Sequence, residues 1–340
     1  MKLSNFFYID RKIISQTGPT YIVAEIGINH SGSKSKCEKL IKMAHKSGAD
    51  AVKLQLADPN LSYSKNHPTF KEFKNKFLSD ESLSNLIKYS KSLGISLFAT
   101  PGDFSSLERI VKLKMPAIKI SSGLLNNLPL IKEASKKNVP IILSTGMAYL
   151  NEISDAVKIC SKNQKKIALL KCTSIYPAPI QNLNLNGINE LRKKFKVPVG
   201  YSDHANGIEA SIYSVAFGAR IIEKHFTLNR FEKGADHKIS IEPKQFATMV
   251  KKVRDLESMM GEKILKPTKQ EIKNRKFSYR KLVTSKKIYA GEKITLKNIT
   301  FKRTLAKKNG IKPKHFFKVL GKRVSKNLKD EKILSFSDFL

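Results

Sequence analysis

Cysteine is scarce in this chain: 340 residues contain only Cys37, Cys160 and Cys172. An odd number at wide spacing, with two of the three inside largely apolar runs, excludes a disulfide framework and a cysteine-rich metal site. It fits free thiols in a reducing cytoplasm. Long apolar runs are also missing; none approaches the ~20 residues that a membrane helix requires. The amino terminus, MKLSNFFYIDRKIIS, is interrupted by Asp10, Arg11 and Lys12 and makes a poor secretory signal. These absences predict a cytoplasmic protein without a membrane partner. Acidic residues are the third shortage, 28 Asp and Glu against 64 Lys and Arg, which leaves a formal charge of +36. Such an excess invites a nucleic-acid reading. Lysine outnumbers arginine several-fold, however, and is spread along the polar faces of helices, as in EKLIKMAHKSG and IKEASKKN. That spread favours a generally lysine-rich composition, or a need for anionic substrates, over nucleic acid.

What is present is a rhythm. From residue 21 short β-branched runs alternate with helical patterns: YIVAEIGIN, AVKLQ, ISLFAT, AIKIS, PIILSTG, IALLKCTS, VPVGYSD and RIIEKHFT are each followed by a helical stretch. Strand–helix alternation implies a parallel sheet, and eight units over roughly 240 residues predict a closed (β/α)8 TIM barrel. An open doubly wound sheet is the rival. Residues 263–280, charged and containing Pro267, break the rhythm and read as a linker between a barrel domain over 1–262, with a short amino-terminal extension, and a small α+β domain over 281–340. PKHFFKVLG within that domain reads as helical.

Barrel enzymes carry their chemistry at the carboxyl ends of the strands. Polar residues collect there: Glu25 and Asn29, Lys53 and Gln55, Thr100, Lys119 and Ser122, Ser144 and Thr145, Thr173, Ser174 and Tyr176, Ser202 to His204, and Glu223 with His225. Polar side chains in apolar strands are costly unless paired, so the collection points to one pocket. His204 and His225, on the seventh and eighth strands, can converge as two imidazole ligands of a divalent metal with open positions. Asp203 and Glu223 stand beside them. Lys53 and Lys119 suit a phosphate or carboxylate, helped by the hydroxyls of Thr100, Ser122, Ser174 and Ser202; a Schiff-base lysine and a merely solvated one remain alternatives. Glu25 can serve as a base, a supporting partner or an acceptor for sugar hydroxyls. Asp236 lies in the loop after strand eight. His30, His45, His67, His237 and His315 show no comparable pattern.

The ordered set AEIGINHSGS, AVKLQ, FATP, IKISSG, ILSTGM, KCTSIYP, GYSDH and EKHFT strongly resembles the sialic acid synthase family, and RKLVTSKKIYAGEKITLKNITFKR resembles that family's antifreeze-like carboxyl-terminal domain. The resemblance implies a transferase that condenses phosphoenolpyruvate with N-acetylmannosamine or a related acylamino sugar, giving a nine-carbon 2-keto acid and phosphate. It implies His204 and His225 as ligands of a divalent metal, usually manganese, with magnesium or cobalt as alternatives. It assigns Lys53, Thr100, Lys119, Ser122 and Ser202 to phosphoenolpyruvate, Glu25 to the metal site, and Tyr176 and Asp236 to the sugar. Arg303 matches the arginine that one subunit of a domain-swapped homodimer extends into its partner's barrel mouth.

The chain departs from the family at identifiable places. Leu124 stands where an acidic residue usually faces the sugar, and Ser174 matches the serine of the pseudaminic branch. GADHKIS instead resembles the N-acetylneuraminic and legionaminic branch, and the segment from Asp58 to Phe77, which would line the sugar pocket, is short. The expected function is therefore N-acetylneuraminate or legionaminate synthesis, with a pseudaminic acid synthase or a non-catalytic barrel-derived binding protein as alternatives.

Overall fold

The structure, a computed structural model, describes residues 3–262, 264–304 and 309–340. The chain divides into two compact units, Met1–Gly261 and Glu262–Leu340.

The first unit opens with an antiparallel hairpin, β1 (Phe6–Ile9) and β2 (Lys12–Ser15), and continues into eight barrel strands. These are β3 (Tyr21–Gly27), β4 (Ala51–Leu56), β5 (Ser96–Pro101), β6 (Ile118–Ile120), β7 (Ile141–Ser144), β8 (Ile167–Cys172), β9 (Val199–Asp203) and β10 (Ile221–His225). They pair in parallel in chain order and close through β10 onto β3, so the barrel and not the open sheet is formed. Each strand is almost wholly buried, which is why the runs read as continuously apolar and not as alternating.

Alternation survives in where the side chains go. Ile22, Ala24, Ile26, Val52, Leu54, Leu97, Ala99, Ile118, Ile120 and their like join the helices in one large core. The opposite set, Val23, Ala51, Phe98, Ala117, Ile142, Ala168, Leu170 and Ile221, fills the barrel's lower interior together with Phe7, Ile9 and Ile14 of the hairpin. The amino-terminal extension is thus a plug over the end of the barrel away from the chemistry. Asp10 fastens it by accepting a 2.6 Å bond from the Ser96 hydroxyl on β5. Ile9 is fully buried in this plug; Ile9→Ala is expected to cost about 2–4 kcal/mol in urea denaturation, as other large-to-small core changes do. A loss below about 1 kcal/mol would mean the plug is dispensable.

The second unit contains a helix over Lys269–Ser278, capped by a reciprocal Thr268–Glu271 box, so part of the expected linker is ordered. Strands β11 (Arg280–Thr284) and β12 (Ile299–Arg303) pair antiparallel over a small core of Leu282, Ile288, Ile294, Phe316, Val324 and Leu328. PKHFFKVLG does not form an α-helix: Pro313–Lys318 is a 3-10 turn, too short between Pro313 and Gly321 to propagate.

Candidate active site

The inward face of the barrel changes character above its apolar layer. Glu25 on β3, Lys53 on β4, Lys119 on β6 and Glu223 on β10 meet there, each no more than 5% exposed. Lys53 Nζ lies 3.2 Å from Glu25 Oε2 and 3.1 Å from Glu223 Oε2, and Lys119 Nζ lies 3.3 Å from Glu223 Oε1. The Ser202 hydroxyl donates to Glu223 Oε1 at 2.9 Å, and Gln55 Nε2 donates to Glu25 Oε1 at 2.7 Å.

The environment sets the charges. Burial opposes ionisation of Glu223, but Lys119, Lys53 and the Ser202 hydroxyl together outweigh it and hold its carboxyl well below the usual range. Burial also works against Lys53, yet Glu223 and Glu25 outweigh it and keep the ammonium charged. Lys119 shares Glu223 with Lys53, and for it burial wins, lowering its pKa. Glu25 is pushed up to about 7 by burial, against the pull of Lys53. Two lysines thus share one firmly ionised carboxylate and one that protonates near neutrality. The floor lacks negative charge, which an anionic ligand would supply.

Above this floor sit the histidines. His204 Nδ1 donates to the Thr173 carbonyl at 2.7 Å, which leaves Nε2 as the ring's free lone pair. The His204 and His225 ring centres are 5.6 Å apart, and Tyr176 packs 4.2 Å from His204. His225 Nδ1 is 3.9 Å from Asp236 Oδ2, and among the described residues both atoms are buried without a hydrogen-bond partner. Among the described residues, Thr100 Oγ1 and Ser144 Oγ, at the same end of the barrel, are likewise buried without one. Buried polar atoms are rarely left unpaired, and their concentration at one barrel mouth marks a place where a ligand completes the pairing.

Burial lowers the histidines strongly, His204 to about 4 with His225 adding to the effect, and His225 to about 3 with Lys53 adding. Both are therefore neutral at physiological pH, the form that ligates metal. The set fits a divalent cation: two neutral imidazoles with an orphaned carboxylate oxygen close by. Among the described residues, no group of three or more His, Cys, Asp or Glu is gathered as a metal site, so water or substrate oxygens would have to complete the shell.

The depressed His204 also has a consequence for stability. Its pKa is 6.5 unperturbed and about 4 in the fold, so between those values the unfolded chain binds more protons and stability falls as pH falls. Glu25, raised, has the opposite sign, but it is common to any pair of proteins that differ only at His204. In the presence of chelator, the stability of the wild type relative to His204→Asn is expected to fall from pH 6.5 to pH 4 in urea denaturation. A difference independent of pH would show that the imidazole is not held neutral.

A cavity of about 970 Å3 opens above, lined by Gln55, Thr100, Ser122, Ser174, Tyr176, His225 and Asp236. The Ser174 hydroxyl donates to Ser122 Oγ at 2.8 Å. Glycines make the room: at Gly146, with φ +47°, a Cβ would lie 2.2 Å from Ser122 Cβ, and at Gly27, with φ +56°, 2.9 Å from Asp236 Oδ2. Leu124 and Met147 add an apolar wall, and the Asp58–Phe77 segment contributes Tyr63, His67, Glu72 and Phe73.

The structure thus brings together Glu25, Lys53, Lys119, Ser202, His204, His225, Thr100, Ser122, Ser174, Tyr176 and Asp236. Arg303 lies in the second unit, at the exposed end of β12. Asp203 departs from the expectation: it shares neither the inner face with Ser202 nor the site with His204. Strand alternation turns it outward, where it accepts from Lys224 Nζ at 3.0 Å and from the Ser211 hydroxyl at 2.6 Å. His67, set aside with the unpatterned histidines, does line the cavity; it caps the short helix Pro68–Lys74, and a cap position has no periodicity to announce it.

Residues 40–265 match the NeuB family and residues 279–340 match the SAF domain. The chain is 38% identical over 332 residues to N,N'-diacetyllegionaminic acid synthase of Campylobacter jejuni, covering 93% of this chain and 98% of that one. It is 34% identical over 363 residues to pseudaminic acid synthase of the same organism, covering 100% of both. Among solved structures it superposes on N-acetylneuraminic acid synthetase from Leptospira borgpetersenii, determined in complex with citrate. The TM-score is 0.76 at 32% identity, over 81% of this chain and 97% of that one. Taken with the closed barrel and the charged floor, these matches show that the chain belongs to the NeuB family and is a synthase with an SAF domain at its carboxyl end.

Proposed function

We propose that the protein condenses phosphoenolpyruvate with an acylamino sugar of the mannosamine type, giving a nine-carbon 2-keto acid and phosphate, and that the acceptor is the 6-deoxy-2,4-diacetamido sugar of the legionaminic branch. The observation that carries the donor is the floor: Lys53 and Lys119 are buried with Glu223 and a half-titrated Glu25 between them. A phosphate or carboxylate there would find cations whose desolvation the fold already bears. The acceptor rests on Leu124 and Met147, which give the cavity an apolar wall; a methyl group fits against it better than a hydroxyl does.

In this reading His204 and His225 hold a divalent metal, manganese or else magnesium or cobalt, which would polarise the acceptor's aldehyde. Lys53, Lys119 and Ser202 anchor the donor from below. The donor's methylene carbon bonds to the aldehyde carbon, water adds at the neighbouring carbon, and phosphate leaves. Glu25, with a pKa near neutrality and one oxygen fixed by Gln55, is suited to deliver a proton to the aldehyde oxygen. Tyr176 and Asp236 face the sugar. The same reading places the protein in the cytoplasm as a homodimer in which Arg303 of one subunit completes its partner's site.

The test is phosphate release from phosphoenolpyruvate with manganese against three acceptors: N-acetylmannosamine, its 6-deoxy-2,4-diacetamido analogue and the corresponding altrose sugar of the pseudaminic branch. Preferred turnover of the second is expected. Preference for the altrose sugar would instead assign the Ser122–Ser174 pair to the pseudaminic branch. Silence with all three, in folded protein that binds metal, would favour the non-catalytic alternative. A borohydride-trapped lysine adduct would favour the aldolase chemistry.

A further inference from the structure

We infer that Asp103 is a positioning residue for the acceptor side of the cavity, an inference that rests on the function proposed above. Asp103 is 7% exposed and lies just beyond the end of β5, where its carboxylate serves two structures at once. Oδ1 caps the helix over Phe104–Lys112 by accepting from Ser106 N at 2.8 Å, and Oδ2 takes the Ser106 hydroxyl at 3.0 Å. Oδ2 also accepts from Asp58 N at 2.8 Å and from the Ser62 hydroxyl at 2.9 Å. A helix cap needs only the first of these. The bonds to Asp58 and Ser62 tie the short helix Pro59–Ser62 to the barrel rim.

Backbone packing repeats the attachment. Gly102 N donates to the Leu56 carbonyl at 2.7 Å, and a Cβ on Gly102 would lie 2.5 Å from Ala57 Cβ and 2.9 Å from Ser62 Oγ. Beyond this tether the chain runs to Tyr63, His67, Glu72 and Phe73 on the cavity wall. Tyr63 stacks on His67 with ring centres 5.9 Å apart and packs against Phe73 at 5.3 Å. Asp103 ties the first turn of this wall to the barrel at Asp58 and Ser62, whereas Lys53, Lys119 and Ser202 stand on strands of their own. Asp103 therefore sets the fit of the acceptor without touching the donor's floor.

Asp103→Asn tests this. The amide keeps one oxygen for the Ser106 cap but turns an NH2 toward Asp58 N–H, a donor facing a donor. The KM for the acceptor sugar is expected to rise about tenfold or more, with the KM for phosphoenolpyruvate within about threefold of the wild type. Hydrogen exchange should accelerate about tenfold across 58–73 and stay unchanged across 104–112. Ser62→Ala should move both readouts in the same direction by less, which covers the case of Asp103→Asn failing to fold. Ser106→Ala, which leaves the tether intact, should move neither. Unchanged exchange across 58–73 would overturn the inference, as would a rise in both KM values together. If the wild type turns over no acceptor, the proposed function fails, and exchange alone still decides whether Asp103 holds the wall.

Discussion

Replacing Glu223 with glutamine should lower stability by about 3 kcal/mol and take turnover below detection. The carboxylate is the shared counter-charge of two buried ammonium groups, at 3.1 Å from Lys53 and 3.3 Å from Lys119. Removing one partner of a buried ionic cluster typically costs about 3–5 kcal/mol, because the remaining charge keeps its desolvation penalty without its compensation. The low end is expected because Lys119, whose pKa burial already lowers, can shed its proton. That escape saves the fold and not the chemistry, since a neutral Lys119 no longer offers a cation to the donor. Urea denaturation and phosphate release measure the two effects separately. A variant within about 1 kcal/mol of the wild type that keeps a tenth of its activity would show that the floor is charged in some other way.

The second large effect is expected at His225. His225→Ala should lower metal-dependent phosphate release by about a thousandfold, the scale of the several kcal/mol that a Lewis acid contributes at about 1.4 kcal/mol per tenfold. Stability should hardly fall, because the imidazole is buried with an unpartnered Nδ1 and its loss removes an unsatisfied group. This combination distinguishes a ligand from a packing histidine, for which stability would fall first. His204→Ala should behave alike in turnover but also lose the bond to the Thr173 carbonyl. Activity in His225→Ala that is near the wild-type level and indifferent to chelator would remove the metal from the mechanism.

The site was legible wherever strand periodicity governs it. Two-residue alternation along a buried strand assigns Lys53, Lys119, Ser202, Glu223 and His225 to the face of the apolar residues that fill the barrel. The same alternation, applied one residue further, turns Asp203 away, and proximity in sequence to His204 was misleading for that reason. The Asp58–Phe77 wall was foreseen as lining, but its individual contributors were not, because its two helices, Pro59–Ser62 and Pro68–Lys74, are too short for a repeat to show which side faces the cavity. PKHFFKVLG looked helical by composition, and the proline and glycine spacing stopped it at a 3-10 turn.

By itself, then, the sequence determined the number and order of the strand–helix units and the residue types gathered at the strand ends, because these follow from local patterning that survives any arrangement of neighbours. Only the tertiary structure decided which carboxylates face which lysines, which of those groups stay charged, and that Asp103 couples the end of one strand to the wall beyond another. Charge state and reach depend on distances between segments far apart in the chain, and in this barrel those distances are set by closure of the sheet.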